Sequence, residues 1–413
     1  MTQPMESHTR IMAGVTTQTT SKAVPVRAIA WMLAVVMFIM GSDLNIVSPL
    51  LAAMSRSFSV HLALAGWLVT AFALGYALAS PLSGWASDRL GRVGMLAAGM
   101  GGFVLFETAS AVAPSLWTEV GARALAGVFA GAVSPVAYAL VGDVVPKNHR
   151  AGTMAILSMG FSVSTVAGVP LGLWLAAWTG WRGALFAIGA ALFLAGVPLL
   201  YMLGRSVPRL RPRTASTDSG GWLGALWPQL GASFAAFSAM GLVYTYLPTA
   251  LMNRGVAPYP WLMAILAVYG TFNLAGNRFF GWRGDRVGAG PAVRQAQVFE
   301  MAVLVVMAVF ARISMLWPLA LSTWLFAFSQ AYIPDLKALA SDVPLRWRGT
   351  SLAINNTAMY SGMVFGSALA NAVYPRGHFA WLSGLGAILI GAGWVVMRKS
   401  RRLWQVPVIR DRH

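Results

Sequence analysis

The sequence predicts an all-α integral membrane protein with twelve transmembrane helices in two pseudo-symmetric six-helix bundles. Three observations lead there. Hydrophobic residues make up 57% of the 413 residues and charged residues only 10%, against about 25% charged in an ordinary soluble domain; mean hydropathy is +0.66. Apolar runs long enough to cross a bilayer, roughly 20 residues each, recur between short Gly, Pro or charged breaks. The two halves of the chain also carry the same markers in the same order. This composition excludes a conventional soluble enzyme and a disordered chain. The lack of cysteine excludes a disulfide-stapled secreted scaffold.

Residues 1–26 are polar and rich in Ser and Thr, and read as a cytoplasmic tail. The apolar run that starts near Ala28 ends without a small-residue cleavage site, so it reads as an uncleaved first span rather than a signal peptide. The first bundle, 27–203, holds spans at 28–52, 61–83, 94–113, 117–141, 152–176 and 182–203. The longest hydrophilic break, 204–223, contains Arg205, Arg209, Arg211 and Arg213 and reads as a cytoplasmic linker. The second bundle, 224–397, holds spans at 224–250, 260–281, 291–312, 314–336, 349–373 and 379–397, and a cytoplasmic tail follows at 398–413.

The formal charge of +18 is an orientation signal. Arg56, Arg182, Arg254, Arg312 and Arg376 fall on one side and Arg123 inside a span, while the other 24 of the 30 Lys and Arg residues fall in the tails and even-numbered loops. Cytoplasmic loops collect such residues, so both termini are expected in the cytoplasm, the protein lying in a cell membrane such as a bacterial inner membrane. No interleaved basic and aromatic face suggests nucleic acid.

Gly84-Trp-Ala-Ser-Asp88-Arg89-Leu-Gly91 matches Gly281-Trp-Arg-Gly-Asp285-Arg286-Val-Gly288 at an offset of 197. The segments beginning at Pro146 and Pro344 match at 198, as do Gly168 and Gly366. Repeats of this kind are a common construction in transporters, with the substrate site near midplane at the repeat interface.

On these residues the chain resembles the major facilitator superfamily over about 27–397, most specifically in Gly84-x3-Asp88-Arg89-x-Gly91-Arg92. Within it the sequence is similar to 12-span drug:proton antiporters of the arabinose efflux permease group. That likeness rests on Asp43 in span 1, Arg123-x3-Gly127-x3-Gly131 in span 4 and Gly168-Val-Pro170-Leu-Gly172 in span 5. Val169 stands where the antiporter form has Gly directly before Pro. The resemblance implies that Asp88 caps span 11 and latches the halves together on the cytoplasmic side, and that Arg92 pairs with Asp143. Gly84 and Gly91 are expected to permit a tight turn between spans 2 and 3, and Asp285 and Arg286 form the second copy of the motif. It also implies proton-coupled alternating access, with no cofactor beyond the proton gradient, and a protein that functions as a monomer.

Ionisable residues inside spans cost about 2.5–3.5 kcal/mol on insertion scales, which singles out Asp43, Glu107, Arg123 and Glu300. Asp43 and Arg123 lie roughly 13 and 9 Å below the outer surface at 1.5 Å per residue, so they can pair, and neither recurs in the second half. They are the candidate proton-coupling residues. Spans 3 and 9, which carry Glu107 and Glu300, sit on the outer flank in the family, away from the cavity, and Glu300 could lie near the membrane surface. Asn45, Trp67, Tyr138, Tyr244, Asn273, Gln330, Asn355, Asn356 and Tyr360 are candidates to touch substrate. Gly127, Gly131, Gly168 and Gly172 favour close helix packing, and Pro170 and Pro135 can bend their spans. The five histidines are scattered without metal-ligand spacing, and there is no phosphate-binding loop, so no enzyme is expected. The expected function is export of a small organic compound or drug in exchange for protons. The alternatives are a sugar or metabolite uniporter or symporter and, from another class, a receptor or scaffold that transports nothing.

Overall fold

The computed structural model describes residues 26–145, 147–206, 222–254, 259–313, 315–342, 348–376 and 378–399. Among them every regular element is helical. The first half comprises α1 (Val26–Ser57), the short α2 (Leu62–Ala65), α3 (Trp67–Leu90), α4 (Arg92–Ala111) and α5 (Leu116–Val144). It continues through α6 (Lys147–Val163), a π-helical turn at Ser164–Gly168, and α7 (Val169–Ser206). The second comprises α8 (Trp222–Tyr244), α9 (Leu247–Met252), α10 (Tyr259–Val287), α11 (Ala289–Phe310), α12 (Leu316–Ser329), α13 (Ile333–Ser341), α14 (Arg348–Val373) and α15 (Phe379–Lys399).

Among the described residues, eight stretches are long and apolar enough to span a bilayer on length and composition alone, and one of them, Gly152–Arg205, is two spans long. Gly180, at φ 73°, divides it inside α7. The remaining three spans are α10, α14 and the α12–α13 pair. They escape a composition test because they carry polar side chains such as Asn273, Asn277, Asn355 and Asn356, or are interrupted, and they complete the set of twelve.

The interruption between α12 and α13 has a local cause. Pro334 has no N–H to return to Gln330, and its ring would collide with that carbonyl in a continuous helix. The chain turns at Gln330–Tyr332, and Asp335 and Leu336 both donate to the Tyr332 carbonyl as the helix restarts.

The repeat is visible in backbone and packing. Gly91 (φ 85°, ψ 145°) and Gly288 (φ 87°, ψ 146°) make the same left-handed turn in the two halves, a conformation that favours glycine. The turn rests on Gly91 alone: α3 continues as helix through Gly84 to Leu90, which corrects the expectation that both glycines shape it. A Cβ on Gly168 would overlap Ser42 of α1, and one on its repeat partner Gly366 would overlap Ser238 of α8. At the end opposite the termini, Arg182 donates to the Ala113 carbonyl at 3.0 Å. Arg254 donates to the carbonyl of Ala311, the repeat partner of Ala113. Each arginine thus closes a helix end where the dipole favours a cation.

At that same end two hydrogen bonds, from Thr70 and to Thr70, join the halves, and a third braces Asn371 within the second half. Thr70 of α3 donates to Ser367 of α14 at 2.8 Å, Asn371 donates to Thr70 at 3.2 Å, and Tyr246 donates to Asn371 at 2.9 Å.

Candidate functional site

A small central cavity is lined by Met37, Met40 and Leu44 of α1, Phe72 and Tyr76 of α3, Ala130 and Ser134 of α5, Phe161 of α6 and Tyr360 of α14. The spacings of three, four and seven residues put these side chains on one face of each helix. Both halves contribute, and Tyr76 and Tyr360 stack across the interface with centroids 3.7 Å apart. Among the described residues no charged side chain lines this cavity.

Two turns along α5 from Ala130, roughly 10 Å, sits a buried charge cluster. The Arg123 guanidinium donates to both carboxylate oxygens of Asp43, at 2.7 and 3.2 Å. It also donates to both oxygens of Glu107, at 3.1 and 3.0 Å. Arg123 is 1% exposed, and Asp43 and Glu107 are fully buried. A third buried carboxyl, Glu119, lies one turn before Arg123 on α5 and accepts a hydrogen bond from Ser110 of α4 at 2.6 Å. Its second oxygen and Arg123 Nε have no hydrogen-bond partner. Phe72 connects cluster and cavity: its ring lines the cavity, and its centroid is 4.5 Å from the guanidinium carbon.

This geometry corrects the reading of Glu107 as a flank residue removed from the site. Its helix does lie to one side, but its side chain points inward one turn before the end of α4 and shares Arg123 with Asp43. Glu300 is likewise not at the membrane surface. It is fully buried in the middle of α11 and accepts from Tyr332 at 2.8 Å.

Of the candidate substrate residues, Tyr360 lines the cavity. Asn45 donates to the Gly41 carbonyl of its own helix, and Asn273 donates to that of Ala327. Asn355 is buried and accepts from Gln229 and Ser233. Tyr138 shares a hydrogen bond with Ser158, and Gln330 donates to the Tyr269 hydroxyl, beside which Tyr244 packs. Asn356 is partly exposed, and Trp67, at the outer start of α3, is 42% exposed. Met37, Met40, Leu44, Phe72 and Phe161 carry no sequence signal that separates them from ordinary span packing.

In the repeated motif, Arg92 Nε donates to Asp143 at 3.0 Å, and Arg92 also donates to Ser87. The side chains of Asp88 and Arg89 lie outside the described residues. In the second copy Asp285 is exposed, and Arg286 lies over the Trp282 ring at 4.1 Å. Gly127 and Gly131 face the backbone of Phe72 and Tyr76, and a Cβ on Gly172 would overlap Ile46. Gly127 and Gly131 therefore set the spacing of α3 and α5 that brings Phe72 to Arg123. Pro170 follows the π-helical turn at the start of α7.

Twelve spans in two repeated halves, with a cavity between them and a buried ion cluster beside it, define a polytopic membrane transporter. The sequence matches the Major Facilitator Superfamily over residues 33–367, and the chain belongs to that family. It is 27% identical over 370 residues to the uncharacterized MFS-type transporter YceJ of Bacillus subtilis, covering 87% of this chain and 93% of the relative. It is 25% identical over 354 residues to the inner membrane transport protein YdhP of Escherichia coli, covering 86% and 90%. A solved structure of a mutant of the peptide transporter POT with alafosfalin superposes with a TM-score of 0.77 at 14% identity, covering 94% of this chain and 99% of that one. That likeness concerns the fold. The protein is a multi-pass membrane transporter and not an enzyme.

Proposed function

We propose that the protein is a proton-coupled antiporter that exports a lipophilic, aromatic small organic compound from the cytoplasm of a bacterial cell. The carrying observation is the buried cluster. Three buried carboxyls gather around one buried guanidinium, and of them Glu119 also feels Arg182, so full ionisation would still leave uncompensated negative charge in a medium where even one such charge is costly. An arrangement of this composition favours holding at least one proton. Proton loading weakens the hold on Arg123. Its guanidinium can then move between Asp43 of α1 and Glu107 of α4, and Phe72 moves with it at the wall of the cavity. A proton that binds the two conformations unequally biases the exchange between them.

The lining of the cavity supports the substrate class. Met, Phe and Tyr side chains favour an aromatic or apolar body. A sugar would require convergent hydrogen-bond groups, and only Ser134 and two tyrosine hydroxyls are offered there. The positive-inside charge pattern supports cytoplasmic termini. On that orientation the Thr70–Ser367–Asn371 seal closes the outer side. The reading is tested with the purified chain in proteoliposomes under an imposed ΔpH, using ethidium and glucose as probes. Accumulation of ethidium that stops when ΔpH is collapsed supports it. Glucose flux that is indifferent to ΔpH would replace it with uniport.

A further inference from the structure

We propose that Glu300 is a second proton-carrying site, placed in the C-terminal half at the break between α12 and α13. Glu300 is fully buried, with Tyr332 donating to Oε2 at 2.8 Å and Oε1 without a hydrogen-bond partner. Gln297, one turn earlier on α11, is also fully buried. It lies beside the Tyr332 hydroxyl, yet neither of its side-chain polar atoms is in hydrogen-bond geometry. Two buried polar side chains beside the Tyr332 hydroxyl thus keep unused hydrogen-bonding capacity, which is uncommon in a folded interior.

Among the described residues no cation compensates Glu300. The titratable groups next to Glu300 are Tyr332 and, through the break, Tyr269 of α10. Asp335 and Lys337 follow on α13, and neither forms an ion pair with it; α15 faces this part of α11 with Gly391 and Gly393, near Met301 and Gln297. A carboxyl so placed is held at least cost as the neutral acid, with the proton on Oε1. An interrupted span is where transporters commonly place ion sites, because it offers backbone groups and room to move. When the Gln330–Tyr332 turn opens, the proton passes from Oε1 to water. The carboxylate left behind keeps the Tyr332 hydroxyl and gains the Gln297 amide as donors.

α11 and α12–α13 correspond by repeat to α4 and α5, the helices of Glu107 and Arg123, but the offset of 197–198 sets Glu300 against Gly102 or Phe103 and Tyr332 against Ser134 or Pro135, so this carboxyl is not a copy of the first-half cluster.

The test uses infrared difference spectra of the full chain in lipid bilayers, titrated from about pH 5 to about pH 10, the pH span in which a shifted carboxyl can titrate. Beside any band from the Asp43–Glu107–Glu119 cluster, the parent should show a protonated-carboxyl component that fades as pH rises and that depends on Glu300. Glu300→Gln should lose this band and Tyr332→Phe should shift it, while Asp43→Asn leaves it in place. In proteoliposomes under a one-unit ΔpH, accumulation by Glu300→Gln should fall about tenfold, the worth of one coupled proton. A spectrum identical in parent and Glu300→Gln would overturn the site. So would a Glu300-dependent component that persists through the whole titration, or accumulation equal to the parent. If Glu300→Gln does not reach the membrane, the Tyr332→Phe band shift alone decides. Because Asp43→Asn leaves the band untouched, failure here is separable from failure of the Asp43–Arg123 mechanism.

Discussion

Phe72 lies with its ring 4.5 Å from the guanidinium carbon of Arg123, and the same ring lines the central cavity. A bound compound that displaces the ring therefore acts directly on the charge cluster. Contacts of this kind contribute about 0.5–2 kcal/mol. Phe72→Leu keeps an apolar wall but removes the π face. Ethidium binding measured by fluorescence should change by less than about threefold, whereas ΔpH-driven accumulation should fall by up to about 30-fold, following that energy range. Equal losses in both would make Phe72 a binding residue only.

Glu119 has a second oxygen without a partner and one held by Ser110. Glu119→Gln removes one of three acids and keeps the shape. It should leave membrane abundance unchanged and move the pH profile of transport, because the remaining carboxyls face Arg123 with less competing negative charge. A profile superimposable on the parent's would exclude Glu119 from the coupled set.

Gly127 packs against the Phe72 carbonyl so closely that a Cβ would overlap it. Gly127→Ala should force α3 and α5 apart, at a cost of about 1–3 kcal/mol. The measurements are thermal stability in detergent and transport, and both should fall. Gly121, which faces open space on the same helix, serves as the control, and Gly121→Ala should be silent.

Topology is checked with reporter fusions after Arg213 and at the C-terminus. Both should report the cytoplasm, given the 24-to-5 division of basic residues. Activity of a periplasm-only reporter at either position would reverse the orientation, and with it the assignment of the Thr70–Ser367 seal to the outer side.

Much of the architecture is legible in the sequence, since bilayer thickness forces long apolar runs and the repeat forces matched glycines such as Gly91 and Gly288. The ends are less legible. α3 runs on through Gly84 because helix continues past the apolar stretch, and only Gly91 takes the left-handed turn. Asp43 and Arg123 stand out because a lone charge in a span is conspicuous. Glu107 shares that signal, but a helix position alone does not tell which way the side chain points. Glu119 reads as an ordinary first-turn acid following the Ser115 cap, where the dipole favours a negative charge, so nothing local marks it as buried. The cavity is the least legible part. Its Met and Phe side chains are of the kinds that fill any span, and the polar candidates Asn45 and Asn355 instead satisfy neighbouring groups.

The central claim is that Asp43 and Arg123 couple proton movement to export, and Asp43→Asn tests it most directly. Purified variant and parent are reconstituted into proteoliposomes, a ΔpH is imposed, and ethidium accumulation against its gradient is measured beside downhill exchange at equal pH. The account predicts that Asp43→Asn reaches the membrane and retains downhill exchange but does not concentrate ethidium. Arg123→Ala should fail at the same step, and the double variant should be no worse than either single one, as expected of residues acting as a unit. Accumulation by Asp43→Asn equal to that of the parent would contradict the account.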